Sequence, residues 1–200
     1  MLRVATIIDE TEAEGPGRRL ALWVQGCTIQ CPGCCNPEMF RPDRGTVMTA
    51  DELGARLDRM HGQIEGISVL GGEPFEQPAG VLALVHAARQ RGLTVMVYSG
   101  YTLAELRARP EPEVGELLAA IDLLVDGRYD RNHPEPPPPL GRRWIGSTNQ
   151  TVHYLSAAYT PDDPQMHTAN TVEVHWQDGK LLINGWPAGA AALAKLTRRS

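Results

Sequence analysis

The chain contains four cysteines, and all of them fall between Cys27 and Cys35. The segment reads Gly26-Cys27-Thr28-Ile29-Gln30-Cys31-Pro32-Gly33-Cys34-Cys35-Asn36-Pro37. A disulfide framework spreads its cysteines to staple distant loops, which so tight a knot cannot do. In a reducing compartment it reads as metal or cluster ligation, or as redox chemistry. Cys27, Cys31 and Cys34 have CxxxCxxC spacing, so three soft thiolates can converge from one loop on an iron–sulfur cluster or on zinc. Three thiolates leave one iron of a four-iron cluster with an open position, as catalytic metal sites do. Cys35 is read as a bystander packed as a small apolar side chain, because adjacent cysteines do not easily aim at one cluster. On spacing alone a structural zinc site, completed by Cys35 or a distant His, stays open.

Other unusual segments each follow a run that reads as a strand. Residues 20–25 (LALWVQ) lead into the cysteine loop, 26–38, and residues 64–70 (IEGISVL) lead into Gly71-Gly72-Glu73-Pro74. Residues 93–98 (LTVMVY), apolar enough for a strand buried on both faces, lead into Ser99-Gly100-Tyr101-Thr102. Residues 121–125 (IDLLV) lead into Asp126-Gly127-Arg128, and a further strand at 2–8 opens the chain. Helices separate these strands. Thr49 and Glu52 form a capping box ahead of Leu53, Leu57 and Met60, which predicts a helix over 50–60. Residues 78–90 form a second helix stopped by Gly92. Thr102 and Glu105 cap a third that Pro110 ends, and Pro112 suits the first turn of a fourth, 112–120. The order β-loop-α-β-α-β-α-β implies a parallel sheet with right-handed crossovers. Such sheets hold ligands at the carboxyl ends of their strands, which is where all of these segments fall.

The remainder of the chain is plainer. Residues 127–142, with PEPPPP at 134–139, read as a stiff exposed loop, and 160–170 as a linker. Strands at 171–176 and 181–184 form a hairpin turning at Asp178-Gly179, and an Ala-rich helix is expected near 188–197. His61 and His86 read as surface or packed residues, and the tryptophans mostly as packing. A net charge of −5 is too acidic for a broad nucleic-acid-binding face. Hydrophobic residues at 42% and charged residues at 22% exclude wholesale disorder. No run of about 18 apolar residues is present to span a membrane, and the N-terminus lacks a signal-peptide core, so a cytoplasmic protein is expected. At 200 residues the chain is too short for a complete eight-unit βα barrel, which takes ~250.

CxxxCxxC at the end of an early strand resembles the signature of the radical S-adenosylmethionine (SAM) superfamily. The likeness continues in order along roughly 10–155. It takes in Glu14-Gly15-Pro16-Gly17-Arg18, Leu22-Trp23-Val24-Gln25-Gly26-Cys27, Cys31-Pro32-Gly33-Cys34 and Asn36-Pro37-Glu38. Gly71-Gly72-Glu73-Pro74, Tyr98-Ser99-Gly100-Tyr101-Thr102, Asp126-Gly127-Arg128 and Gly146-Ser147-Thr148-Asn149-Gln150 follow. Together these resemble the glycyl-radical-enzyme activases, nearest the group that acts on anaerobic ribonucleotide reductase.

The resemblance implies an α/β fold: a partial (open) βα barrel of the radical SAM type over 1–158. Residues 159–200 would form a linker and a C-terminal hairpin and helix extension. It implies that Cys27, Cys31 and Cys34 hold a [4Fe–4S] cluster whose open iron chelates the amino and carboxylate groups of SAM. One electron then cleaves the sulfonium bond, and the 5′-deoxyadenosyl radical abstracts a hydrogen atom. No catalytic residues are implied beyond the cluster and SAM ligands. Gly71, Gly72, Glu73 and Pro74 are expected at SAM, the glycines for close backbone approach and Glu73 as acceptor from the ammonium group. Ser99 is expected at the SAM carboxylate or ribose. Asp126 is expected at a cation or a polar group of SAM, with pairing to Arg128 as the plainer reading. Some activases use a second Asp near Tyr98–Gly100 for the cation, and this chain has none there. Asn149 and Gln150 would line the far end of the pocket. The implied partners are a glycyl radical enzyme, reached through the gap of the open barrel, and a low-potential electron donor such as flavodoxin or ferredoxin. Two rivals stand beside this reading. One is a radical SAM enzyme acting on a peptide or small metabolite. The other is a non-catalytic iron–sulfur or zinc module, for which a SAM-type GGEP segment has no use.

Overall fold

The computed structural model describes residues 1–177, 179–186 and Gly189. Four strands run parallel at the centre of a seven-stranded sheet: β2 (Arg19–Val24), β4 (Gly66–Gly71), β5 (Thr94–Tyr98) and β6 (Leu123–Asp126). They are joined by α1 (Ala50–Arg59), α2 (Pro78–Arg89), α3 (Leu103–Arg107) and α4 (Pro112–Ala120). Both expected capping boxes form, at Thr49/Glu52 and at Thr102/Glu105.

The sheet is not parallel throughout. β1 (Leu2–Thr11) pairs antiparallel with β2, because residues 12–18 form a short loop with no crossover helix. Two short antiparallel strands were not foreseen. β3 (Thr46–Met48) lies on β1 at one edge, and β7 (Thr151–Tyr154) lies on β6 at the other. Strands of three and four residues carry too little periodicity to stand out in sequence.

Strand alternation divides the core. Leu22, Ile67, Val69, Val97 and Leu124 face the helices and pack with Leu57, Val81, Val85 and Leu117. Ala21, Trp23, Leu70, Met96, Leu123 and Val125 point the other way. That second face is covered by Ile145, Tyr159 and Met166, and by Leu182 of the hairpin. Arg19 is fully buried there. Its guanidinium donates to the Ser68 hydroxyl, to the carbonyls of Pro16, Ile67 and Thr94, and to the Tyr159 hydroxyl.

The hairpin forms as expected, from β8 (Val172–Gln177) and β9 (Lys180–Gly185). Apart from Leu182, its sheet-facing side is polar and its apolar side faces out, leaving Trp176 74% exposed rather than packed. Asp178 of its turn and the helix expected near 188–197, apart from Gly189, lie outside the described residues. Residues 134–140 are mostly exposed, held at their base by Glu135, whose carboxylate accepts from the backbone N–H of Arg142 and twice from its guanidinium.

Candidate functional site

The cysteine loop starts where β2 ends. Gly26 takes φ 104°, and the two limbs of the loop are then closed on each other. Gly26 N donates to Met39 O at 2.8 Å, while Nε2 of the Gln25 side chain donates to Glu38 O and Arg41 O. Positive φ at Gln30 (50°) and Gly33 (81°) curls the loop between its cysteines. Glu76 anchors it from outside, accepting from the backbone N–H of Thr28 at 3.0 Å and from the Thr28 hydroxyl.

All four cysteines are free thiols, with Cys27, Cys31 and Cys34 partly buried and Cys35 exposed. The three proposed ligands share one loop, yet they are not drawn to ligating distance of one another. Among the described residues, no three His, Cys, Asp or Glu side chains converge in that way. A hydrogen bond from Cys35 lowers the Cys34 thiol, and the same contact pushes Cys35 up. Burial raises the Cys27 thiol, and the carboxylates of Glu73 and Glu76 raise it further. Burial also raises Cys31, where the Tyr129 backbone amide and the Arg128 guanidinium oppose it. Free thiols at one strand end suit iron–sulfur ligation, and two carboxylates facing Cys27 suit a cationic ligand such as a sulfonium amino acid.

The remaining strand-end segments meet beside this loop and hold one another. The close approach that Gly71 and Gly72 permit is to backbone. A methyl at Gly72 would lie 2.2 Å from Gly26 O, and one at Gly71 would lie 2.7 Å from Trp23 Cα. Gly72 N donates to Val24 O and Glu73 N to Gly26 O, both at 2.8 Å, which locks this turn to the start of the cysteine loop. Pro74 opens a buried 3₁₀ turn, Pro74–Glu76, that delivers Glu76.

Glu73 is buried, and its carboxylate is engaged by the protein. Oε1 accepts from Phe75 N and from the Ser99 hydroxyl at 2.9 Å, and Oε2 accepts from Gly100 N at 2.8 Å. Desolvation outweighs those hydrogen bonds and raises its pKa to about 7. Ser99 therefore bridges Glu73 to Tyr101 N, which donates back to its hydroxyl at 3.0 Å.

Asp126 caps the start of α3 by accepting from Leu103 N, and lies 2.9 Å from Nε2 of His153 on β7. That contact lacks hydrogen-bond geometry, and the ring Nε2 is buried without a hydrogen-bond partner. Arg128 pairs with Glu105 instead of Asp126. Asn149 donates to Arg128 O, while Gln150 donates to Gly127 O and accepts from Gly146 N, so both brace the turn after β6.

Sequence reasoning did not single out Glu76, Thr28, Gln25, His153 or Tyr129. Only Gln25 carried a signal, as the residue before Gly26-Cys27 in the ordered likeness. The others work through contacts between segments far apart in sequence. His61 and His86 are exposed, as expected.

Residues 13–153 match the family described as 4Fe–4S single cluster domain. The chain is 35% identical over 148 residues to the anaerobic ribonucleoside-triphosphate reductase-activating protein of Escherichia coli (strain K12), covering 70% of this chain and 91% of that protein. It is similar to the same protein of Salmonella typhi, at 35% identity over the same shares. The Enterobacteria phage T4 protein of that description is 29% identical, across 69% of this chain and 85% of the phage protein.

Proposed function

The chain belongs to the anaerobic ribonucleoside-triphosphate reductase-activating proteins of the 4Fe–4S single cluster domain family, and we propose that its own target is a reductase of that kind. It is a radical SAM oxidoreductase with a [4Fe–4S] cluster and SAM as cofactors. When bound, the cluster supplies the electron that cleaves SAM reductively, and the 5′-deoxyadenosyl radical so released takes a hydrogen atom from a backbone glycine of the partner.

In this reading Cys27, Cys31 and Cys34 are the ligands and Cys35 is not. Support comes from the loop, which presents three partly buried thiols while Cys35 is exposed. Gly71, Gly72 and Pro74 fix the SAM-side turn against Gly26. Glu73 and Glu76 supply negative charge for the cationic groups of SAM. Ser99 and Asp126 act mainly by holding the turns after β5 and β6 in place. Residues 1–158 form the catalytic unit, its sheet curled into an open barrel with β3 and β7 as its edges. The partner's loop enters between those edges, and 159–200 is an appendage. A low-potential flavodoxin or ferredoxin in the cytoplasm is the proposed donor. No helix among the described residues is long and apolar enough to cross a membrane.

The observation that carries this reading is the meeting of the cysteine loop, the GGEP turn and the turns after β5 and β6 at one end of the parallel strands, with acidic side chains facing Cys27. The test is anaerobic reconstitution with iron and sulfide, followed by reduction in the presence of SAM. The expected products are 5′-deoxyadenosine and, with the partner reductase added, a glycyl radical signal on that partner. A reconstituted protein that binds only zinc and leaves SAM intact would sink the proposal.

A further inference from the structure

The segment Arg128–Arg131 follows β6 and crosses the cysteine loop. Arg131 lays its aliphatic stem on Gly33, between Cys31 and Cys34. A methyl at Gly33 would meet Arg131 Cδ at 2.8 Å and its Cβ at 3.2 Å. The absent side chain at Gly33, with its φ of 81°, makes room for that crossing. Arg131 is exposed and has no ion-pair partner among the described residues. By contrast, Arg41, Arg109, Arg128 and Arg142 each hold a carboxylate. Arg128 and the Tyr129 amide act on Cys31, whereas Glu73 and Glu76 act on Cys27. The loop thus meets carboxylates at Cys27 and at Cys34, where Glu38 acts, and meets a guanidinium at Cys31.

We propose that Arg131 tunes the reduction of the metal site, its unpaired guanidinium favouring the form that carries one more negative charge. The proposal rests on Cys27, Cys31 and Cys34 as the ligands. Reduction adds one electron from an external reductant and moves no proton, so a cation carried beside the loop favours the reduced state. The guanidinium is solvent-facing, so its effect is modest and weakens with salt.

The test is a dithionite titration, with redox mediators, of the reconstituted full chain, followed by the electron paramagnetic resonance of the reduced cluster. Arg131→Met keeps a stem over Gly33 and removes the charge. It should disfavour reduction roughly threefold, a shift of about 30 mV to more negative potential at 59 mV per tenfold for one electron. Arg131→Glu should shift further in the same direction, and Arg131→Lys should match the unchanged protein. The differences should shrink at high ionic strength. Iron content per chain, measured on every variant, guards against a loading defect, and Arg131→Gln serves if the Met variant loads poorly. A loaded set that titrates at one potential overturns the proposal alone. An unchanged protein without a reduced-cluster signal overturns it together with the ligand reading.

Discussion

The four cysteines differ in what the fold asks of each. Cys27 follows the Gly26 turn and faces two carboxylates, Cys31 faces Arg128 and the Tyr129 amide, and Cys34 is paired with Cys35. Replacing Cys27, Cys31 or Cys34 by Ala should abolish cluster assembly, while Cys35→Ala should retain iron near the level of the unchanged protein. Iron and sulfide analysis after reconstitution separates the two outcomes. If Cys35→Ala alone loses the cluster, the ligand set is wrong. Glu76 is a subtler case. Its carboxylate accepts both the backbone N–H and the hydroxyl of Thr28, the residue after Cys27. Glu76→Gln halves the acceptor capacity and removes the charge, so iron should be lost a few-fold faster to a chelator, with the melting temperature little changed. The cysteine spacing was legible in the sequence because all its residues share one loop. Glu76 was not, because its partner lies 48 positions away.

At the scale of elements, the parallel strands, their helices and both capping boxes follow from local patterns, and all were legible. What escaped were β3 and β7 and the antiparallel start, where pairing depends on partners rather than on periodicity. The glycines separate the same two kinds of information. Gly72 and Gly115 look alike in a sequence, yet their surroundings are opposite. A Cβ at Gly72 would lie 2.2 Å from Gly26 O, whereas one at Gly115, on α4, meets nothing within 4 Å. Gly115→Ala should therefore raise stability by about 0.5–1 kcal/mol, through helix propensity and a less free unfolded chain. Gly72→Ala must push the GGEP turn off the cysteine loop, at a cost of about 1–3 kcal/mol or more. Thermal melts of the metal-free protein measure both. The Gly72 variant should also fail to retain iron, and normal loading would mean that the lock between the two turns is not needed for the site.

For the whole molecule, the question is what ties the extension to the catalytic unit. Its contacts are largely polar. Tyr159 reaches the buried Arg19, Glu12 N donates to Glu173, and Asn184 and Gly185 both donate to Glu14 Oε1, the latter at 2.7 Å. Glu14 lies in the Glu14-Gly15-Pro16-Gly17 loop, and its partners belong to the residues outside the family match. Its pKa is raised to about 7, first by burial and further by Glu173, against the hydrogen bonds from Asn184 and Gly185. A carboxyl group with a raised folded-state pKa favours the fold while protonated. That stability is complete below the unfolded value of about 4.5 and is lost as pH rises through about 7. Glu73 titrates in the same direction over the same window. Each contributes at most roughly 3 kcal/mol between those limits. The metal-free protein should therefore be less stable to urea at pH 8 than at pH 5. In Glu14→Gln the amide oxygen can take the place of Oε1, and its NH2 falls where Oε2 receives no hydrogen bond. That variant should keep the contact with the hairpin and lose about half of this pH dependence. An unchanged pH profile would mean that Glu14 ionises freely in the fold, and that the extension is not held against a buried acid.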